Sequence, residues 1–343
     1  MTALSDYKKV LIIARTNLYN TNLATLMTYY QGLMDSVNQN KTFSRNSKRI
    51  KINAIVRAKN GAIYALRLKY NADVANINRI KVVPAPPVVI RTVPKKTALL
   101  VGINYIGTPN RLNGCINDTV VMSNMLMNSY AYNSADITFM TDNTSIKPYG
   151  DNILNAFTDL LKNAISGDRL FFFYSGHGTQ KADNTNLNPN DKIDECIYPL
   201  GGNIITDTKF KQLIDGNMKT GVSLVAIFDS CFSGTIMNLK YNYLNSDHNN
   251  MLFVDSYESV VAGNVICISG CKDEQTSEDA YINGDYNGAL TWALSTSISS
   301  SSSLLSWTQL IDNTRMILLA NTFPQLPQFS SSDQMDLSEF VSF

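Results

Sequence analysis

An α/β fold, with a mostly parallel central sheet and helices on both faces, is what this 343-residue chain predicts, on three observations. Two short, fully apolar runs stop at Ser/Gly-rich loops: Leu170–Tyr174 runs into Ser175-Gly176-His177-Gly178, and Leu224–Phe228 into Asp229-Ser230-Cys231. Runs of that length and character are strands buried on both faces, as in a parallel sheet. From Thr97 onward strand-like and helix-like segments alternate, the β–α order that builds such a sheet. Prolines crowd Val83-Pro84-Ala85-Pro86-Pro87 and continue to Pro94-Lys95-Lys96, an extended connector that sets a smaller N-terminal region apart.

Residues 1–83 read as a basic, partly folded region and a candidate pro-segment. Within it, Asn22–Met34 carries Leu23, Leu26, Met27, Tyr30 and Leu33 at the 3–4 spacing of an amphipathic helix. Ile50–Ala54 and Tyr64–Tyr70 alternate instead, and Asn60-Gly61 between them is a type I′ hairpin signal. Residues 84–96 are the Pro-rich linker, and residues 97–343 hold the α/β domain. There Ala98–Val101 predicts a strand, Asp118–Asn128 a helix and Ile137–Met140 a strand. Asp151–Ile165 follows as an amphipathic helix with Ile153, Phe157, Leu160 and Leu161 on one side. The two apolar runs come next, then a strand at Asn264–Ser269 and a helix at Ala289–Ser297. Ser306-Trp307-Thr308-Gln309 has the form of a capping box opening a helix to about Leu319. The serine run Ser299–Ser303 is a connecting loop.

Composition excludes several classes. Five cysteines, at 115, 196, 231, 267 and 271, are odd in number and lack CxxC spacing, which argues against a disulfide framework or zinc site and for a reducing compartment. No apolar stretch approaches the ~18–20 residues of a membrane span. The apolar run Val10–Ala14 near the start is too short for a secretory signal, so a cytoplasmic setting is expected. Charge is strongly uneven: residues 1–96 hold 17 Lys/Arg against 3 Asp/Glu, leaving 12 against 25 for the rest. Such halves suit an arm for nucleic acid or membrane, a docking of one half on the other, or simply a solvated surface. No recognisable nucleic-acid-binding motif accompanies the charge, so nucleic acid is not expected as a partner.

His177 and Cys231 carry the chemistry. Open α/β sheets place their sites just beyond the carboxyl ends of strands. A thiol and an imidazole at neighbouring strand tips form a nucleophile–base pair. Taken singly, a cysteine is more often a small buried hydrophobe and a histidine an ordinary polar residue. Together they read differently, since each lies beyond an apolar strand with glycine close after it. The chain has only two histidines, and the other, His248, lies in the polar stretch Asn245–Asn250. His177 is the credible base.

Several ordered segments resemble the type I metacaspases, caspase-fold cysteine peptidases that cleave after Arg or Lys. Ala98–Tyr105 is followed by Leu112-Asn113-Gly114-Cys115-Ile116-Asn117-Asp118, then by Tyr174–Gly178 and Asp194-Glu195-Cys196-Ile197-Tyr198-Pro199. Asp229–Gly234, Ser269–Ser277 and Gln325-Leu326-Pro327-Gln328 complete the series, so the resemblance spans about Lys95 to Ser332. His177 lies 54 residues upstream of Cys231, close to the ~50 of caspases. The resemblance implies a caspase-like fold, Cys231 as nucleophile and His177 as base, with the backbone N–H groups of Gly178 and Cys231 as oxyanion donors. It implies a pocket for a basic side chain lined by Cys115, Asp118, Ser175 and Asp229. Asp118 also suits an N-cap, and Asp229 a solvated strand end.

The chain departs from the family at three places. Phe232 stands where a second histidine usually follows the nucleophile. Of the four acids of the family's calcium site, only Asp194 and Asp207 are present, with Thr208 and Asn238 at the other two positions. Fewer ligand charges mean weaker binding, so no cofactor is expected to be required. The N-terminal region is neither Pro/Gln-rich nor a zinc finger. The expected function is an Arg/Lys-directed cysteine endopeptidase acting on proteins or peptides, made as a zymogen. In it, residues 1–96 would contact the peptidase part intramolecularly, with Arg91, Lys95, Lys96 and Lys240 as self-cleavage points. The alternatives are a catalytically weak scaffold for protein interaction, or a peptidase recruited by its basic arm to an acidic partner.

Overall fold

A computed structural model describes residues 3–79, 91–182, 193–231, 233–243, 251–254, 261–270, 279–282 and 285–343. Most of the Pro-rich linker, Phe232, His248 and Cys271 lie outside the described residues. The chain divides into two units, Met1–Ile90 and Arg91–Phe343.

The first unit holds two long helices, α1 (Ala3–Gln39) and α2 (Arg45–Arg79). The helix expected over 22–34 is the second half of α1. The hairpin expected around Asn60-Gly61 is not formed: both residues and both alternating segments lie inside α2. The reason is visible along the α1–α2 seam. Leu23, Leu26, Tyr30 and Leu33 of α1, and Ile52, Ile55, Leu66 and Tyr70 of α2, are half-buried at 3–4 spacing. The Tyr19 and Tyr70 rings stack at 4.8 Å, Thr16 Oγ1 and Tyr70 Oη lie 3.0 Å apart, and Arg15 pairs with Asp73 at 3.6 Å. Packing along a helix overrides a two-residue turn preference. Ser44 starts α2 by accepting from Ser47 N–H at 3.2 Å.

The second unit is a layered α/β domain. Its strands are β1 (Lys96–Gly102), β2 (Ile137–Thr141), β3 (Arg169–Ser175), β4 (Gly178–Ala182), β5 (Ile193–Ile197), β6 (Ile205–Thr206) and β7 (Ser223–Asp229). There follow β8 (Tyr241–Tyr243), β9 (Met251–Val254), β10 (Asn264–Ser269), β11 (Asp279–Ile282), β12 (Asp285–Gly288) and β13 (Gln328–Ser331). The helices are α3 (Cys115–Tyr130), α4 (Gly150–Lys162), α5 (Asp207–Asn217), α6 (Ala289–Ser299) and α7 (Trp307–Ala320). Among the described residues eight strands form the central sheet, in the order β2-β1-β3-β7-β10-β13-β8-β9. The first five are parallel, as predicted, and β13, β8 and β9 extend one edge antiparallel. β4, β5 and β6 make a small antiparallel sheet, and β11 and β12 a pair.

The alternation of side chains along each central strand fills two cores. Leu99, Val101, Phe172, Tyr174, Ala226 and Phe228 pack on α4 and α5 through Phe157, Phe210 and Ile214. Leu100, Phe171, Phe173, Val225 and Ile227 face α3, α6 and α7 through Met122, Leu126, Leu294 and Trp307. Runs apolar at every position are explained by burial on both sides. The expected capping box is present: Ser306 accepts from Gln309 N–H at 3.2 Å, and Gln309 accepts from Ser306 N–H at 2.9 Å.

Where the linker meets this domain, Asp168 ties it down. This fully buried carboxylate accepts from Arg91 through both oxygens, from Lys95 N–H at 2.8 Å and from Ile165 N–H at 2.9 Å. Burial alone would raise its pKa, but these donors outweigh burial and hold it below the usual value. Asp168→Asn should therefore cost about 3 kcal/mol of stability at neutral pH. Because the folded pKa is depressed, the advantage of the acid is present above the unfolded value of ~3.9 and fades as pH falls through the folded one. Denaturant titrations of both proteins should converge in acid. A gap that stays constant would show that the carboxylate charge is not what holds the linker.

Candidate active site

The parallel pairing of β3 with β7 sets Ser175 opposite Asp229, so the two chains leave the sheet side by side. His177 follows two residues after Ser175, and Cys231 two residues after Asp229. Gly178, the first residue of β4, rests on Cys231: a Cβ there would lie 1.9 Å from the Cys231 carbonyl oxygen and 3.3 Å from its nitrogen. No other residue fits this approach. The contact sets the tips of β3 and β7, which bear His177 and Cys231, against each other at Gly178.

His177 is half-buried and tightly held. Its Nε2 lies 2.8 Å from the carbonyl oxygen of Asn110. A carbonyl only accepts, so Nε2 is the donor in this contact, and in the neutral ring Nδ1 carries the free lone pair. The backbone is fixed as well. His177 N–H donates to Tyr105 Oη at 2.9 Å, while its carbonyl accepts from Tyr174 Oη at 2.8 Å and from Tyr198 N–H at 3.0 Å. Among the described cysteines, none in a disulfide, Cys115, Cys196 and Cys267 are buried and Cys231 is half-exposed. Burial pushes the Cys196 thiol up to about 12 and Cys267 up as well, so neither is a ready thiolate.

Next to this pair lies a cluster of buried acids. Asp118, in the first turn of α3, accepts from Ser175 Oγ at 2.7 Å and from Gly288 N–H at 2.9 and 3.1 Å. Asp229 Oδ2 accepts from the N–H and the hydroxyl of Thr291, both at 2.8 Å. A Cβ on Gly288 would meet Asp229 Oδ2 at 2.2 Å and Asp118 Oδ2 at 2.9 Å. The two acids thus converge on the N-terminus of α6, whose dipole favours their negative charge. Asp118 is not the N-cap of α3, since Gly114 takes that position, and Asp229 is buried rather than solvated. Cys115 opens α3 with its carbonyl packed on Gly102, buried one turn before Asp118. Gly288 and Thr291 were not legible as site residues; only the helix they open was.

Asp194 on β5 and Asp207 at the start of α5 also come together, away from the strand tips. Thr208 Oγ1 donates to Asp194 Oδ1 at 2.8 Å, and Thr208 N–H to Asp207 Oδ1. Asp207 Oδ2 is buried with no hydrogen-bond partner. Burial, with Asp194 and Glu195 alongside, holds the Asp207 carboxyl far above its usual range. Glu195 accepts from Thr235 Oγ1 at 2.7 Å, and the Thr235 carbonyl accepts from Asn238 N–H at 2.7 Å.

Residues 96–240 match the family model of the metacaspase, peptidase C14 domain. Metacaspase-1 of Schizosaccharomyces pombe is 34% identical, over 71% of this chain and 69% of its own length. This chain is a metacaspase. It is a cysteine endopeptidase, a hydrolase, by that membership. Metacaspase-1 of Kluyveromyces lactis is 33% identical over 71% of this chain and 67% of its own length. A protein of Geobacter sulfurreducens, 24% identical, superposes with a TM-score of 0.51 over 71% of this chain and 95% of its own, which supports the fold.

Of the basic residues expected as self-cleavage points in this metacaspase, Arg91 is engaged by Asp168, and Lys96 opens β1 with Nζ on the Tyr130 carbonyl. Lys95 pairs with Asp136 at 2.6 Å. Lys240 is exposed just before β8, its Nζ 5.6 Å over the Tyr241 ring. Among the described residues no helix is long and apolar enough to cross a membrane.

Proposed function

We propose that this metacaspase hydrolyses peptide bonds after Arg or Lys through a Cys231–His177 dyad. The observation that carries the reading is the seating of Gly178 on the Cys231 backbone, which joins the two strand tips. Nδ1 of His177, with Nε2–H committed to Asn110, takes the thiol proton, and the thiolate adds to the scissile carbonyl. The backbone N–H groups of Gly178 and Cys231 hold the resulting oxyanion. Collapse expels the amine, which takes its proton from His177, and water activated by the same imidazole releases the acyl group. Asp118 and Asp229, with Ser175 and Cys115 beside them, form the wall that receives the substrate's basic side chain by charge-assisted hydrogen bonds.

The residues present do not fit a tight calcium site, and no step runs through one. Asp194 and Asp207 meet at Thr208, and the buried Asp207 Oδ2 would accept a cation. Thr208 and Asn238 bring no charge, and the Thr208 hydroxyl already occupies Asp194. Binding is then weak, in the millimolar range. One assay tests both parts: fluorogenic peptides with Arg, Lys or Asp before the cleaved bond, with calcium or with chelator. Arg and Lys peptides should be cut and Asp peptides spared, with activity in chelator approaching that with calcium. Cleavage after Asp would refute the specificity, and a sharp micromolar calcium requirement the reading of the metal site.

Residues 1–96 serve in this reading as a tethered restraint on an acidic-pocketed enzyme, the tether raising their local concentration. α2 alone carries nine Lys/Arg against one Asp. A shortened chain beginning at Ile90 keeps Arg91 on Asp168 and should be more active per molecule than the full chain. The difference should shrink as salt screens the attraction. Equal activity at low salt would leave the arm as a recruiter of an acidic partner.

A further inference from the structure

We propose that Tyr105 is the positioning residue for His177: its phenol fixes the histidine's backbone, and the loop it opens presents the carbonyl that fixes the imidazole. The proposal rests on the dyad reading above. Tyr105 Oη accepts from His177 N–H at 2.9 Å and donates to the Tyr198 carbonyl at 2.6 Å, bridging the turn between β3 and β4 to the residue that follows β5. Tyr174 Oη lies 3.2 Å from the same oxygen and closes the circuit by donating to the His177 carbonyl. The Tyr105 ring also lies against the imidazole, with centroids 4.7 Å apart. One side chain thus touches His177 at its backbone and on its ring face.

The loop after β1 is built to hold that side chain and Asn110 together. Tyr105 has φ 49°, a left-handed conformation that a bulky residue keeps only where its surroundings overdetermine it. Asp142 supplies the constraint, accepting from Asn104 N–H at 2.7 Å and Ile106 N–H at 3.0 Å, on either side of the tyrosine. Thr108 donates to the Tyr105 carbonyl through N–H at 3.1 Å and through its hydroxyl at 2.9 Å, and Leu112 N–H donates to Asn104 O at 2.9 Å. Residues 104–112 are thereby closed on themselves, with Asn110 and its carbonyl at 2.8 Å from Nε2 carried on the closed loop. A phenol that merely filled space would need its ring alone. This one spends its hydroxyl on the residue that must aim Nδ1.

The test uses the full chain with Tyr105→Phe, which keeps the ring and removes the hydroxyl, and Asp142→Asn, which loosens the loop without touching His177. Rates on an Arg peptide and melting temperatures are measured for both. With only two histidines, labelled-histidine NMR reads the tautomer of His177 directly, His248→Ala serving to assign the signals. The wild type should show the Nε2–H tautomer alone. Tyr105→Phe should leave KM unchanged, lower kcat by roughly tenfold to a hundredfold and mix the two tautomers. Asp142→Asn should move the same two readouts. A folded Tyr105→Phe with wild-type kcat and an unmixed Nε2–H signal overturns the proposal, as does a loss confined to melting temperature. Should Tyr105→Phe fail to fold, Asp142→Asn decides: wild-type kcat and tautomer there overturn it equally. A fully active His177→Ala would refute the dyad and this proposal with it, whereas an inactive His177→Ala beside an unimpaired Tyr105→Phe refutes this proposal alone.

Discussion

Cys231→Ala is expected to reduce peptide hydrolysis to background, and His177→Ala to lower it by about two to four orders of magnitude, the usual worth of a placed general base. The two losses differ because the roles differ. Without the sulfur no acyl intermediate forms, whereas without the imidazole a small thiolate fraction still attacks. Neither change should unfold the protein. Cys231 is half-exposed beyond the end of β7, and the contact that joins the two tips is made by the backbones of Gly178 and Cys231, which alanine preserves. The measurement is the rate on an Arg peptide, with circular dichroism and melting temperature as the check on folding. Substantial hydrolysis by a folded Cys231→Ala protein would end the mechanism.

The second large effect concerns the acids under α6. Asp118→Ala should cut kcat/KM for Arg peptides by at least tenfold, since a charge-assisted hydrogen bond contributes ~1.5–3 kcal/mol. Asp118 also satisfies Ser175 Oγ and Gly288 N–H, so its removal loosens the junction of α3, β3 and α6. A stability cost and a specificity cost must then be separated. Rates per titrated active site, compared between Arg and uncharged side chains before the cleaved bond, make the separation. A loss of charge recognition falls on the Arg peptide alone, while a structural loss falls on both. Gly288→Ala offers an independent view, because its Cβ would press on Asp229 Oδ2 with both carboxylates still in place. An Asp118→Ala protein that still prefers Arg by the same ratio would remove the acid from the specificity pocket.

Much of the α/β domain was legible because its physics is local. The runs Leu170–Tyr174 and Leu224–Phe228 are apolar at every position, which only a doubly covered strand requires, and Ser306-Trp307-Thr308-Gln309 forms the capping box its residue types prescribe. The ordered motifs carried His177 and Cys231. What stayed hidden depends on contacts between distant segments. Gly288 and Thr291 are ordinary residues until α6 is laid across Asp118 and Asp229, 170 and 62 residues away in sequence. Asn110 contributes a backbone carbonyl, which no residue type announces. The N-terminal region misled for the opposite reason. Asn60-Gly61 carries a strong local turn signal, and the 3–4 spacing of Ile52, Ile55, Leu66 and Tyr70 that outweighs it is interrupted by polar positions.

Heated or titrated with denaturant, the chain should lose cooperativity in two stages. Among the described residues of the first unit, Ile77 is the one apolar side chain that is buried, and Ile13, Leu18, Met27, Tyr29, Ile50, Tyr64 and Leu68 face solvent. Two helices sharing so narrow a seam gain little apolar stabilisation against the conformational entropy of more than seventy ordered residues. The sheet domain, covered on both faces, is a separate and far stronger cooperative unit. The melting temperature that reports on active-site variants is therefore the upper one, that of the sheet domain. Amide protection would fade first along α1 and α2, while β1, β3 and β7, and the peptidase chemistry they carry, remain protected to much higher temperature.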